Sequence, residues 1–531
     1  MDYKTYTVQT LNDNSIKQVE AVCFLGTSLD DFSGLGYDSE IDQLKLRQEH
    51  DKQVNSNISV DFHADSNRLT LFKSVGNLKN DTDDPRVFFE NANKLMQRAI
   101  GSGKTNIALV SSIPEEIKNR NSSGWIKSSE VSDTFKEYSE FKSCALAGAL
   151  EATYVNLEKR ERVEYKNVVI NIFAHGMSEK EISRCDVTEE AQAIARDLGG
   201  SDPERMAPPR MVEYTEKKFS ELSNVKVSVI SDQDEISREF PAFQCVNRCT
   251  KNVPRHHGRI IVLEYRGEGP KIDEHLCYVG KGVTYDTGGA DIKAGGHMAG
   301  MHRDKCGACN VIGLMYATAK LKPANINMTV IACCIRNSVG SEAYVADEIF
   351  KSRGGKYVRV CNTDAEGRMA MVDLLCKAKE RAISENWVNP QLFTVATLTG
   401  HACIAFDTYT ALLDNGPAAA KNTSRRIQKN GHIVADTCEI STIRREDYKA
   451  STATDGYADV IQSGMGASTR TPRGHQQPAG FMILASGLDN HGLFSEKPIA
   501  YTHCDIAPSA GPYPGLCTGS PIRAMLKAYV E

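Results

Sequence analysis

The chain has 531 residues, of which 41% are hydrophobic and 25% charged, and its net charge at pH 7 is −5. That length exceeds what one hydrophobic core serves, so two or more domains are expected. The composition is that of a soluble globular protein, and the small acidic balance argues against nucleic acid or an anionic membrane as the main partner.

The opening residues MDYKTYTVQTLNDNS lack the basic start and apolar core of a secretory signal. No apolar run approaches the roughly 18 residues that a membrane span needs. A cytoplasmic setting is expected, with the 16 cysteines read as reduced thiols. In chain order, VEAVCFLG (19–26), TNIALVSSI (105–113) and NVVINIFAH (167–175) read as strands, and 87–101 reads as a helix. Polar stretches at 29–56 and 113–132 read as surface loops. This pattern predicts an N-terminal α/β domain over 1–188. EEAQAIARDL, from Glu189 to Leu198, has helical periodicity and runs into GGSDPERMAPP, a glycine stop followed by proline breakers. Residues 189–205 are therefore the expected linker helix and turn, with 206–531 as the second domain.

GSGKT at 101–105 resembles the end of a phosphate-binding loop. The full motif requires glycine at 98, where Arg98 stands, and it requires a strand before the loop and a helix after it. The expected order here is reversed, so the stretch reads as a surface turn.

In the second part GRIIVLEYRG, HLCYVGKGVTYD, NMTVIACCIRN and QLFTVATLTG are short apolar runs of buried-strand type. Helical stretches such as CGACNVIGLMYATAKL and MAMVDLLCKAKERA alternate with them. This implies an α/β fold whose larger C-terminal domain has a mixed, largely parallel sheet flanked by helices. In such sheets functional residues gather at the carboxyl ends of strands.

Cys245 and Cys249, with Cys306 and Cys309, have spacings that a four-cysteine zinc site could use. However, 56 residues lie between the two pairs, and the second pair sits in a small-residue run of helix-packing type. Cys333 and Cys334 read as small hydrophobes in a strand.

Charged residues repeatedly end these strands. VGKGVTYDTGGADIKAGGHMAGMHRDKCG (279–307) carries Lys281 inside an apolar strand, Asp286 at its end, Lys293 in a glycine-rich loop and Asp304 opening a helix. A second cluster, Asp364, Glu366 and Arg368, follows the strand-like YVRVC and opens another helix. Acids suit a helix start, because the helix dipole favours negative charge there. Simple ion pairing among these groups is the plain alternative. Yet four carboxylates converging on one place repel one another unless cations neutralise them. Divalent Zn²⁺, Mn²⁺ or Mg²⁺ suits such an oxygen-rich set, and two ions about 3.5–4 Å apart can generate hydroxide between them.

NTDAEGR at 362–368 and VGKGVTYDTGG at 279–289 resemble the leucyl aminopeptidase (M17, cytosol aminopeptidase) family of dinuclear metallopeptidases. ARDLGGSDPERMAPP (195–209), ATLTG (396–400) and THCDIA (502–507) extend the resemblance across roughly 190–531. The resemblance implies that 206–531 is a catalytic metallopeptidase domain with two divalent ions per subunit, Zn²⁺ foremost, with Mn²⁺ or Mg²⁺ as alternatives at one site. Asp286, Asp364 and Glu366 would hold one ion, and Lys281, Asp286, Asp304 and Glu366 the other. A metal-bridging water would attack the scissile carbonyl of a peptide with a free N-terminus. Lys293 would polarise that carbonyl, and Arg368 would hold a bicarbonate that relays protons. Met301, Thr397, Leu398, Gly400 and Ala507 would form the substrate pocket. The family's homohexamer is the implied assembly, with neither nucleic acid nor membrane as partner.

The chain also departs from the family pattern. Lys305, Cys306, Gly307, Ala308 and Cys309 replace Met-Gly-Gly-Ala-Ala, AGGH follows Lys293, and Arg336-Asn337-Ser338 replaces Glu-Asn-Met. Pro508 stands in place of the glycine that usually follows the DIA motif. These changes touch packing and the pocket wall, and they leave the implied ligands intact. His297, His302, His401 and His503 read as structural or supporting groups, and Met298 and Met301 as core or pocket wall. A silent scaffold would be expected to lose ligands that this chain retains. A nucleic-acid-binding role finds little support in the acidic balance.

Overall fold

The computed structural model describes residues 4–51, 57–80, 82–118 and 138–531. The chain forms two compact units, Met1–Glu189 with Lys429–Asp436, and Glu190–Gln428 with Thr437–Glu531. The short return segment belongs to the first unit because Ala435 packs into that unit's core and the Ile433 carbonyl accepts from Cys144 Sγ at 3.4 Å.

The first unit contains β1 (Tyr6–Thr10), β2 (Ala21–Gly26), β3 (Ser59–His63), β4 (Arg68–Ser74), β5 (Asn106–Ser111) and β6 (Ile170–Ala174), ordered β1-β6-β5-β2-β4-β3. All neighbours are parallel except β3 and β4. A helix, Arg86–Gly101, precedes the GSGKT turn and β5 follows it. The polar stretch at 29–56 is not the expected loop throughout. Asp38–His50 is helical, and its apolar stripe is narrow because only Ile41 and Leu44 reach the core among charged neighbours. Residues 52–56 and 119–132 of the two polar stretches lie outside the described residues. The helix around EEAQAIARDL spans Glu179–Gly200, starting well before Glu189, and Ile182 and Cys185 of its first turns are buried in the core of the first unit.

The second unit begins with β7 (Val225–Ile230), β8 (Arg259–Arg266), β9 (Glu274–Asp286) and β10 (Ile326–Asn337). The short β11 (Ile349–Lys351) and β12 (Tyr357–Arg359) follow, then β13 (Pro390–Ala396), β14 (Thr410–Asp414), β15 (Cys438–Thr442), β16 (Val460–Ile461) and β17 (Ala500–Asp505). The main sheet runs β15-β14-β17-β13-β9-β10-β8-β7, and its central strands β17, β13, β9 and β10 are parallel. Their carboxyl ends therefore share one edge of the sheet. YVRVC does not join this sheet, because β12 pairs with β11 and β16 in a separate three-stranded sheet. Among the described residues, no helix is long and apolar enough to cross a membrane.

The alternation along β9 explains why glycines flank Lys281. Successive side chains point to opposite faces of a strand. Cys277, Val279 and Val283 join the core with Met369, Met371 and Leu375 of the helix Glu366–Ser384, and Lys281 shares their face. Gly280 and Gly282 point the other way, toward the helix Cys306–Leu321. A Cβ on Gly280 would meet Ala308 Cα at 2.6 Å. From the helix side, a Cβ on Gly307 would lie 2.1 Å from the Val395 carbonyl oxygen. Gly307→Ala is expected to force helix and sheet apart, costing about 1–3 kcal/mol or more, read from the midpoint of chemical denaturation.

The buried His275 of β9 stacks on Trp387 with ring centroids 3.6 Å apart, and burial pushes its pKa down to about 3. A histidine with a depressed folded pKa stabilises fully above its unfolded value and loses that contribution as pH falls. Between pH 7 and pH 5 His275 should cost on the order of 2 kcal/mol of stability. Equilibrium denaturation at the two pH values should show a shallower acid loss in His275→Gln.

Candidate metal centre

The shared sheet edge explains the gathering of groups. Asp286 ends β9, Thr397 and Leu398 follow β13, and Ala507 follows β17. Asp304 arrives from the short turn Met301–Arg303, just before the helix that begins at Cys306. Asp364, Glu366 and Arg368 enter at the start of the helix Glu366–Ser384.

Lys281 is 3% exposed, and its Nζ lies 2.7 Å from Asp304 Oδ1 and 2.9 Å from Glu366 Oε1. It also donates to the Thr397 carbonyl at 2.8 Å. This approach requires Gly367, because a Cβ there would meet Lys281 Cε at 2.4 Å. Lys293 Nζ lies 2.9 Å from Asp286 Oδ2 and also pairs with Asp364. One oxygen each of the buried Asp286, Asp304 and Glu366 can be chosen so that all three fall within 4.8 Å of one another. Asp286 Oδ1 accepts from Gly288 N at 2.9 Å and Asn337 Nδ2 at 2.8 Å, while Thr397 Oγ1 donates to Asp304 Oδ1 at 2.8 Å.

Burial and the neighbouring Glu366 push the Asp286 carboxyl up to about 7, although Lys293 opposes them. Burial likewise raises Asp304 well above the carboxylate range against the pull of Lys281. Burial would also raise Glu366, but Lys281 and Lys293 hold it below its ordinary value. In turn, burial alone would lower both lysines, yet the surrounding carboxylates hold them above the usual range. Asp304 Oδ2 and Glu366 Oε2 are buried and accept no hydrogen bond. Bare carboxylate oxygens, converging acids and an amine form a donor set that fits divalent cations.

Arg368 Nη1 donates to the Gln462 carbonyl at 2.9 Å and to Gln477 Oε1 at 2.7 Å, leaving its buried Nε without a partner. Burial lowers its pKa to about 10, so it stays cationic at neutral pH. Above these groups opens a cavity of about 1050 Å³, whose wall includes Met301, Thr397, Leu398, Gly400, Ala507 and Arg368.

The histidines go to other tasks. His297 lines the cavity, while His302 packs edge-on against Tyr513 with centroids 5.9 Å apart. His401 hydrogen-bonds His475 at 2.7 Å, and His503 bonds Thr394 at 2.8 Å. The cysteine pairs also separate: Cys249 Sγ donates to the Arg336 carbonyl at 3.3 Å, and Cys306 Sγ lies 3.7 Å from Cys517 Sγ.

Three contributors were not legible as such in the sequence. Asn337 reaches Asp286 because an irregularity in the β9–β10 register brings the two opposite each other. Thr363 Oγ1 donates to the Gly288 carbonyl at 2.7 Å and accepts from Asp291 N at 2.8 Å, tying the two ligand-bearing loops together. Gln462 holds the turn before Glu366 from its place just after the distant β16. The only trace of Asn337 was its place in a stretch that departs from the family pattern, and Thr363 lay inside NTDAEGR.

Residues 193–526 match the model of the cytosol aminopeptidase family, catalytic domain. The chain belongs to this family. It is 38% identical over 477 residues to the "Putative aminopeptidase W07G4.4" of Caenorhabditis elegans, a match covering 89% of this chain and 87% of the relative. It is 33% identical over 283 residues to the "Probable cytosol aminopeptidase" of Aquifex aeolicus (strain VF5), covering 53% of this chain and 54% of that one. The bottromycin maturation enzyme BotP in complex with Mn is similar in fold, with TM-score 0.73 and 18% identity over 96% of this chain and 98% of BotP. Membership of the cytosol aminopeptidase family supports a metal-dependent aminopeptidase, and the α/β fold class agrees with the BotP likeness.

Lys281→Met should leave Asp304 and Glu366 buried without their shared counter-charge. In a chelator-treated sample, denaturation should show a loss of about 3–5 kcal/mol, the scale of a broken buried ion pair.

Proposed function

We propose that the chain is a two-metal aminopeptidase that releases single N-terminal residues from peptides. The observation that carries this reading is the convergence of Asp286, Asp304 and Glu366, with two bare buried oxygens, beside a large cavity. Lys281, Asp286, Asp304, Asp364 and Glu366 would hold the ions, Zn²⁺ being the first expectation and Mn²⁺ or Mg²⁺ alternatives at one site. Lys281 would serve as a ligand in its neutral form, giving up the proton that its carboxylate partners now stabilise. Bound there, two cations supply Lewis acidity and a water activated near neutral pH.

The remaining work falls to the chain's own groups. Lys293 sits on a loop at the cavity wall, already reaching Asp286 and Asp364. From there its ammonium donates to the scissile carbonyl oxygen and stabilises the negative charge that builds on it. Arg368, a buried cation facing the cavity with a free Nε, suits a small anion such as bicarbonate, which would accept and return protons. Met301, Thr397, Leu398, Gly400 and Ala507 surround the substrate's first residue. Peptides with a free N-terminus are the proposed substrates, a homohexamer the proposed assembly and the cytoplasm the proposed location.

The test uses aminoacyl chromogenic substrates and their N-acetylated counterparts, with chelator and then added Zn²⁺ or Mn²⁺. Cleavage of the free-amine substrates alone, lost with chelator and restored by metal, is the expected outcome. Lys293→Met should lower kcat by at least 100-fold, about the cost of losing one oxyanion donor, while metal content stays at the parent level. A chain that binds both metals and cleaves no free-amine substrate would overturn the reading.

A further inference from the structure

We infer that Gln462 is a positioning residue for the turn that presents Asp364 and Glu366, an assignment that rests on the two-metal reading above. Residues 361–365 lie between β12 and the helix Glu366–Ser384, so no regular ladder pairs their backbone groups. Buried backbone groups must nevertheless find partners. Gln462 supplies four. Its Oε1 accepts from Cys361 N and Asn362 N, each at 3.1 Å. Its Nε2 donates to the Asn362 carbonyl at 2.8 Å and the Ala365 carbonyl at 2.9 Å. The backbone is thus gripped on both sides of Asp364 by one fully buried amide.

The same residue holds the cation of the site. The Gln462 carbonyl accepts from Arg368 Nη1 at 2.9 Å. Gln462 is itself anchored, because β16 pairs in parallel with β12 and Gln462 N donates to the Arg359 carbonyl at 2.8 Å. Immediately after it, Ser463, Gly464 and Gly466 begin a stretch of cavity wall that continues to Gly474. Gln462 therefore joins three parts: the carboxylate turn, Arg368 and the start of the wall. Only an amide fits this place, since two backbone N–H groups need an acceptor where two carbonyls need a donor. A carboxylate in its place would keep the acceptor half and face Asn362 O and Ala365 O with no donor.

The test compares the full-length parent with Gln462→Glu and with Ser352→Ala. The last removes the buried Ser352 Oγ hydrogen bond to the Ala485 carbonyl at 3.0 Å, outside the turn, as a control for general loss of stability. Each is stripped with chelator and titrated with Mn²⁺ by calorimetry, with circular dichroism as the check of fold. Gln462→Glu should stay folded and bind Mn²⁺ about 10–100-fold more weakly, the scale for groups that orient metal ligands. Ser352→Ala should bind as the parent does. Parent-like affinity in a folded Gln462→Glu, an equal loss in Ser352→Ala, or failure of Gln462→Glu to fold would each overturn the assignment. A parent that takes up no Mn²⁺ would overturn the two-metal reading and this assignment with it. A parent that binds Mn²⁺ without cleaving peptides would overturn only the aminopeptidase reading, because the titration does not depend on hydrolysis.

Discussion

Converging buried carboxylates are the constraint around which the second unit is organised. Asp286, Asp304 and Glu366 are held close in a place where burial penalises charge. Lys281 and Lys293 offset that repulsion from two different elements, a central strand and a glycine-rich loop. Neither lysine would be tolerated there without the acids, nor the acids without a cation. The same arrangement makes the site receptive to divalent metal, because what stabilises it is positive charge at short range.

The packing around that cluster is correspondingly tight. Lys281 reaches Glu366 only because Gly367 has no side chain, and helix Cys306–Leu321 sits close to β9 only because Gly280 and Gly307 have none. Parallel strands then deliver Asp286, Thr397 and Ala507 to one edge of the sheet, and the cavity opens above that edge. The fold thus places the carboxylates beneath a cavity whose wall mixes small and apolar residues such as Gly400, Met301 and Ala507 with charged ones such as Arg303, Asp447 and Arg473.

Much of this was legible residue by residue. Strands from Glu274 to Asp286 and from Ile326 to Asn337, and the helices starting at Cys306 and Glu366, follow from apolar runs and their punctuation. The helix Asp38–His50 did not, because Ile41 and Leu44 alone mark its buried face. The early start of the helix Glu179–Gly200 was hidden for the same reason, since Ile182 and Cys185, set among charged and polar neighbours, mark its buried face there. YVRVC looked like a strand and is one in part, but local pattern cannot say which sheet a strand joins.

The sequence by itself determined the chemistry available: which acids, lysines and arginine stand at the ends of apolar runs, and which glycines make room beside them. Those are properties of single positions and short spacings, so they survive without coordinates. Only the tertiary structure decided how the groups are shared out, with Lys281 on Asp304 and Glu366, and Lys293 on Asp286 and Asp364. It also decided the supports, Asn337 through a shift in strand register and Gln462 from nearly a hundred residues beyond the turn it grips. Such hydrogen bonds depend on long-range distances and donor directions, and no periodicity in the chain encodes them.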